Sequence, residues 1–328
     1  MKIAFLTEMG FRGKIPHDHP NMRTEFAWMH AMDAEHRDIR YYKDLHDFDH
    51  VFIIFPKGRL YLSAEGSKIK NDHNPVSDLL SANIIDHLKS RNKRVYYIQE
   101  GPSWWFNDYE IYDQIHFFNL LTQVDAIFCH NESDKSFYQG LVGTNKVHVM
   151  RSLMIDDQLK SIQSNIEDKC IIGGNFSRWY GGFQSYMVAQ HFELPIWAQT
   201  SHSTRDYEDQ MVNHLPRLLW KDWMQALSGF KFAVHLMPTV AAGTFSLNCA
   251  YFGIPCIGNE RVDTQKICHP ELSVDVEDVK KAKDLAIKLK RDQSFYNHCS
   301  KLATQNYEKY YRIDFFKSEI FSILQQYE

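Results

Sequence analysis

None of the six cysteines, Cys129, Cys170, Cys249, Cys256, Cys268 and Cys299, forms a C-x-x-C pair. Their scatter through apolar segments argues against a disulfide framework or a zinc site and suits a reducing compartment. A G-x-G-x-x-G fingerprint is also missing throughout, which counts against a dehydrogenase. No apolar run approaches the roughly 18 residues that a membrane span needs. The chain opens on a strand-like MKIAFLT, without a charged n-region and a long apolar core, so a cytoplasmic protein with no membrane span is expected. Excess charge of either sign is lacking too: 37 Lys and Arg stand against 41 Asp and Glu, for a net charge of -4. That removes any global electrostatic case for nucleic acid or an anionic membrane as partner.

What is present is ordinary in bulk and specific in places. A chain of 328 residues with 44% apolar and 24% charged residues is comfortable for two soluble domains. Aromatics reach 14%, and several fall in loops, where they suit stacking as well as core filling. Strands are expected at Lys2–Thr7, Val51–Phe55, Arg94–Ile98, Asp125–Cys129 and Lys146–Met150, and helices at Glu25–Glu35 and Asp78–Ser90. Alternation of this kind argues for a doubly wound parallel sheet. The strand signal lapses between Arg151 and Asp168, then resumes at Lys169–Ile172, Ile196–Ala198, Phe232–Leu236 and Pro255–Ile257. The expected domains are 1–160, 161–305 and a C-terminal helix at 306–328 that packs back on the first.

The most informative stretch is Phe232 to Gln265. A short apolar strand runs into Pro238 and Thr239, then Gly243-Thr244 leads into a helix at Phe245–Phe252, with a further strand behind it. Strand, small-residue loop and helix N-terminus together place unpaired N–H groups beyond the strand ends, where a phosphate can bind. An unliganded βαβ unit accounts for the same pattern equally well. Gly173-Gly174, closing the strand at 169–172, lets backbone approach a ligand, and Arg178 follows with a guanidinium suited to a diphosphate. Asp263 is read either as a contact for a sugar hydroxyl or as a cap for the next helix.

In the first half, Glu100 follows the strand at 94–98, at the strand end where α/β sites are built. A carboxylate there can act as general base or stand solvated in a loop; Glu8, Asp18 and Glu25 are rivals. Trp104, Trp105 and Phe106 form either a stacking wall or interface packing. His17 and His19 lack a third ligand and are read as solvent-facing.

Two Rossmann-like halves without a dinucleotide fingerprint resemble a GT-B glycosyltransferase, on the residues GGNFSR at 173–178, GTFSLNCAYFGIP at 243–255 and Asp263-Thr264. The resemblance implies two Rossmann-like domains facing across a cleft, with a nucleotide-sugar on the second and the acceptor on the first. A narrower likeness is to the DNA β-glucosyltransferases of T-even phages, carried by MKIA, YYIQE at 96–100, GGNF at 173–176 and Asp263-Thr264. It implies Glu100 as catalytic base and Arg178 on the diphosphate, and it brings the family's acidic ribose contact near Asn248. The function so implied is transfer of a hexose from a UDP-sugar to a hydroxyl acceptor, a glycan or a modified base in DNA. A nucleotide-sugar-binding protein or an epimerase of the same fold is the alternative. The implied donor contacts are Gly173, Gly174, Arg178, Gly243, Thr244, Asn248 and Asp263. On the acceptor side stand Glu8, Arg23, Glu25, Trp104 and Trp105. The resemblance implies no required metal, though it leaves room for a loosely bound divalent cation, and it gives no oligomeric state.

Overall fold

The computed structural model describes residues 1–7, 12–55, 81–99, 101–104, 107, 111–143, 145–174, 176, 179–199 and 207–328, without the side chains of 81–83, 112, 113 and 209. The chain folds as two compact units, one of 1–17, 25–150 and 317–328, the other of 18–24 and 151–316.

Among the described residues the first unit holds β1 (Ile3–Thr7), β2 (Gly13–Lys14), β3 (Glu35–Asp38), β4 (His50–Ile53), β5 (Arg94–Ile98), β6 (Ala126–Cys129) and β7 (Val147–Val149). They form one sheet in the order β2-β3-β1-β4-β5-β6-β7, parallel except for the short edge strand β2. The inner strands are buried along their length, as a parallel sheet covered on both faces requires. Helices Ser81–Ser90 and Ile111–Gln123 supply Ile84, Ile85, Leu88, Phe117, Leu120 and Leu121 to one side of the core.

One element departs from its expected type. A helix over Glu25–Glu35 is expected, but the helix is Glu25–Ala31, and Glu35 opens β3. Asp33, at φ 52, reverses the chain, and Ala34 N–H closes the end of the helix on the Met29 carbonyl. The strand behind it, Glu-His-Arg-Asp, has no apolar residue to announce it. Its inward positions are polar: buried His36 bonds Thr7 Oγ1 at 2.7 Å, and Asp38 pairs with Arg40.

The second unit is built on β8 (Glu167–Ile172), β9 (Ile196–Gln199), β10 (Asn213–Leu215), β11 (Phe230–His235), β12 (Cys256–Asn259) and β13 (Ser273–Val274). Their order is β10-β9-β8-β11-β12-β13, all parallel, so β8 and β11 are central. The reversal of winding direction lies between β8 and β11, and the ends of those two strands carry the candidate site.

The units divide after Met150, where 160 is expected, because residues 151–159 are claimed by the segment 18–24. Arg23 bridges Met154, Thr24 N–H donates to Leu153 O at 2.8 Å, and Ile155 N–H donates to Met22 O at 2.8 Å. The long C-terminal stretch is two helices, Gln293–Tyr310 and Ile313–Leu324. Its first part stays with the second unit, where the Tyr307 hydroxyl donates to Asp156 Oδ2 at 3.0 Å and Arg312 pairs with the same carboxylate. Lys317–Glu328 belongs to the first unit: Tyr327 lies 2.7 Å through its hydroxyl from His148 Nε2 and sets its ring edge against Tyr96. All six cysteines are free and buried. No described helix is long and apolar enough to cross a membrane.

Candidate functional site

In the second unit, Gly173 ends the run of β8 by donating its N–H to Val234 O of β11 at 2.8 Å. The two strand ends are so close that a Cβ on Gly173 would stand 2.5 Å from the imidazole of His235. His235 in turn sets its ring edge-on to Phe245, 4.9 Å between centroids. Phe245 lies in the first turn of helix Thr244–Tyr251. The histidine therefore joins the Gly-Gly turn to the helix start. The residue is half-buried, but Nε2 is fully covered and has no hydrogen-bond partner among the described residues. Burial drives the imidazole pKa down to about 4, so the ring is neutral near pH 7.

Gly243 stands at the N-cap of that helix in the left-handed conformation, φ 68 and ψ 30. Only glycine adopts this without steric cost, and a Cβ there would meet Thr264 Oγ1 at 2.1 Å. The Gly243 carbonyl accepts from Thr264 Oγ1 at 2.8 Å and from Ser246 Oγ at 3.2 Å. The two hydroxyl oxygens lie 2.9 Å apart, and buried His269 places Nε2 3.0 Å from Ser246 O. This network holds the helix start from behind, on its carbonyl side. Gly243, at the N-cap, has no side chain to cap the front, and the first-turn N–H groups carry the local positive potential of a helix N-terminus.

Thr244 is the first residue of this helix and is half-buried. Asn248, one turn further on, is buried at 2% exposure. An amide can occupy such a position at far less desolvation cost than the carboxylate implied by the phage likeness. Asp263 opens helix Asp263–Cys268 half-buried, next in sequence to the Thr264 that bonds Gly243. Gly173, Gly174, Gly243, Thr244, Asn248 and Asp263 thus all lie in one unit: the first two follow β8, the next three begin the helix after β11, and Asp263 opens the helix after β12. Arg178 lies outside the described residues; Trp179 and Tyr180 after it are exposed.

Of the acceptor-side residues, Glu25 begins helix Glu25–Ala31 of the first unit, and Trp104 is half-buried beyond the end of β5. Arg23 donates through Nε to Asn21 Oδ1 at 3.0 Å and belongs to the second unit with the segment 18–24, not to the first as expected. Glu8, Glu100 and Trp105 lie outside the described residues. Asp18 is exposed. His17 is exposed with its ring edge-on to His30, and His19 takes the Asn21 N–H on Nδ1 at 3.1 Å. Among the described residues no three His, Cys, Asp or Glu side chains gather as a metal site.

Sequence reasoning missed His235, Ser246 and His269. His235 left one legible signal, a lone imidazole at the end of an otherwise apolar strand. Ser246 and His269 left none, because the contacts that matter, Ser246 Oγ with Thr264 Oγ1 and His269 with Ser246 O, join residues that only the fold brings near.

No protein-family model and no curated protein matches the chain. Solved structures do. Anabaena HepE, crystallised with UDP-glucose, superposes at a TM-score of 0.68 with 9% identity, over 99% of this chain and 100% of that one. An α-glucosyltransferase in complex with UDP and a 13-mer DNA containing an HMU base gives 0.60 and 11% identity over 98% of both chains. A mutant of S. aureus TarM, in complex with Fondaparinux, alpha-GlcNAc-glycerol and UDP, gives 0.61 and 10% identity, over 87% of this chain. Against TarM the match spans only 57% of that protein's length. At such identities the likeness shows the fold alone, which is the GT-B class with two Rossmann-like units.

Proposed function

We propose that this chain is a glycosyltransferase that moves a hexose from a nucleotide-diphosphate sugar, UDP-hexose first among them, to a hydroxyl acceptor. The observation that carries this reading is the helix start at Gly243–Thr244, with glycine at its N-cap, packed through His235 onto the Gly173-Gly174 turn. Backbone N–H groups at such a start favour a diphosphate, and the glycines permit close approach. End-to-end likeness to HepE, crystallised with UDP-glucose, supports the same assignment. In this reading Arg178 and the helix start carry the diphosphate charge and stabilise it as it leaves, so a metal is not required. Asn248 and Asp263 are the contacts for ribose and sugar hydroxyls. Glu100 takes the acceptor proton, with Glu25 and Trp104 near the acceptor. A glycan acceptor fits the net charge of -4.

The second reading, a DNA base glucosyltransferase, is favoured by the likeness to the α-glucosyltransferase crystallised on HMU-containing DNA, over 98% of both chains. One experiment serves both. The protein is incubated with a panel of nucleotide sugars, with and without oligosaccharides and hydroxymethylpyrimidine DNA, and released nucleotide and products are read by mass spectrometry. UDP release with a glycosylated oligosaccharide supports the first reading, and glycosylated bases support the second. If no nucleotide sugar binds or turns over, the transferase assignment fails.

A further inference from the structure

Packing alone does not account for the imidazole at the end of β11. His235 closes that strand between Val234 and Leu236, both of which are buried. Its neighbours across the sheet are glycines, Gly258 on β12 and Gly173 just past β8. Neither therefore carries a side chain that could bond the ring. The place of a Gly173 Cβ lies 2.5 Å from the ring carbons, and Phe245 meets the ring edge-on. Nε2 is left fully covered and without a hydrogen-bond partner among the described residues, while the residue as a whole is only half-buried.

A covered polar atom without a partner destabilises a protein about as much as a lost hydrogen bond, and native structures keep few of them. Leucine or methionine would fill the space between the Gly-Gly turn and the helix start without that cost. The surroundings of the ring suit an anion. Gly173 and Gly174 bring bare backbone to one side, and helix Thr244–Tyr251 begins on the other, where negative charge is favoured. That preference selects a phosphate oxygen over a sugar hydroxyl. A neutral imidazole with its proton on Nε2 offers such an oxygen a donor.

We propose that His235 is a donor-binding residue, whose Nε2–H donates to an oxygen of the nucleotide diphosphate between the Gly173-Gly174 turn and the start of helix Thr244–Tyr251. The inference rests on the nucleotide-sugar reading for the identity of that anion. The unpartnered nitrogen is then a cost held in the free protein and relieved on binding, so stability and affinity trade against each other at this position.

The test sets His235→Leu and His235→Gln beside the parent. It reads melting midpoints without ligand, then calorimetry with UDP, uridine and inorganic pyrophosphate. Leucine removes the unpartnered atom, so its midpoint is expected to rise by about 2–4 °C. Its affinity for UDP and for pyrophosphate is expected to fall about tenfold to a hundredfold, the range for a hydrogen bond to a charged group. Uridine affinity should not change. Glutamine keeps a donor and should retain part of the affinity with no gain in midpoint. His235→Met stands in if the leucine variant does not fold. A higher midpoint with unchanged UDP and pyrophosphate affinity overturns the proposal. A joint loss of stability and affinity overturns it too, because the ring would then be a packing element only. An equal loss for uridine moves the contact to the nucleoside, against the proposal. A parent that binds pyrophosphate but no UDP defeats the nucleotide-sugar reading, and the pyrophosphate affinities of the variants still decide His235. A parent that binds neither overturns both.

Discussion

The imidazole of His235 fills the space that a Cβ on Gly173 would need, 2.5 Å from ring carbons Cδ2 and Cγ. The ring is the packed neighbour of Phe245 and cannot yield without disturbing the helix start at Thr244. Gly173→Ala is therefore expected to cost about 1–3 kcal/mol of stability through overpacking. It should also weaken UDP binding, because the displaced ring lies between both candidate phosphate contacts. Denaturant melts with UDP calorimetry check this. A variant matching the parent in both would show that the ring moves freely and that the glycine has no steric role.

Gly243 predicts an ordered pair of effects. An alanine there must adopt φ 68 and meet Thr264 Oγ1 at 2.1 Å, so Gly243→Ala combines left-handed strain with a clash. Each contributes on the order of 1–2 kcal/mol. Thr264→Val keeps the shape and loses only the hydroxyl bonded to Gly243 O and paired with Ser246, a loss of about 1 kcal/mol. Melting curves should rank the glycine variant below the threonine variant, with UDP affinity following the same order. The reverse ranking would mean that the hydroxyl network, not the backbone conformation, holds the helix start.

These two glycines show how far the sequence could be read. Gly173 and Gly243 were legible because glycine beside strand ends is rare punctuation with a backbone meaning, and helix Thr244–Tyr251 was legible from small residues followed by an apolar run. Asp263 and Asn248 were legible only as positions. Strand β3 was not legible, because its buried face is His36 and Asp38 satisfied by Thr7 and Arg40, contacts that are remote or hidden in periodicity. His269 was hidden for the same reason, since its partner is the backbone oxygen of Ser246, more than twenty residues away. The pairing of 18–24 with 151–159, which decides where the units divide, is non-local and mostly main chain, so side-chain pattern could not announce it.

Acid should expose the buried histidines. Burial holds His269, like His235, at a folded-state pKa of about 4, against about 6.5 for the unfolded chain. Between those values the unfolded chain binds the extra proton, so stability falls as pH falls. The contribution is fully present above about pH 6.5 and is lost as pH drops through about 4. His269 is the cleaner probe, because it is 2% exposed. Denaturant midpoints from pH 7.5 to 4.5 should decline less steeply in His269→Gln than in the parent. Equal slopes would place the acid sensitivity elsewhere.

Arg178 is expected to carry the diphosphate, on the strength of its place four residues after Gly174. Arg178→Ala should weaken UDP binding by about 1.5–3 kcal/mol, the range for a hydrogen bond to a charged group. Arg178→Lys should recover part of that, since an ammonium keeps the charge but loses the two-pronged geometry. Calorimetry with UDP and with uridine separates the cause: only UDP affinity should change. An equal loss for uridine would move Arg178 from the phosphates to the nucleoside, and no loss at all would remove it from the site.

Glu100 is the residue whose replacement should separate chemistry from binding. It follows Gln99, whose backbone is held at the end of β5 by the Phe128 carbonyl, and precedes Gly101, held by the Gln99 side chain. A general base must stand within hydrogen-bond reach of the acceptor hydroxyl before a shifted pKa matters. Glu100→Gln preserves size and hydrogen bonding but cannot take the proton at working pH. Single-turnover transfer is then expected to drop by about a hundredfold to ten-thousandfold, the range for general base catalysis. The donor contacts named here lie in the second unit, so the affinity for UDP-sugar should stay near the parental value. Parent and variant are compared at matched melting temperature, across a pH series. In the parent, transfer should rise as a carboxylate deprotonates, and in the variant that limb should vanish. Transfer at the parental rate would pass the role to Glu8, Asp18 or Glu25. A joint fall in binding and transfer would mean that Glu100 organises the site without abstracting a proton.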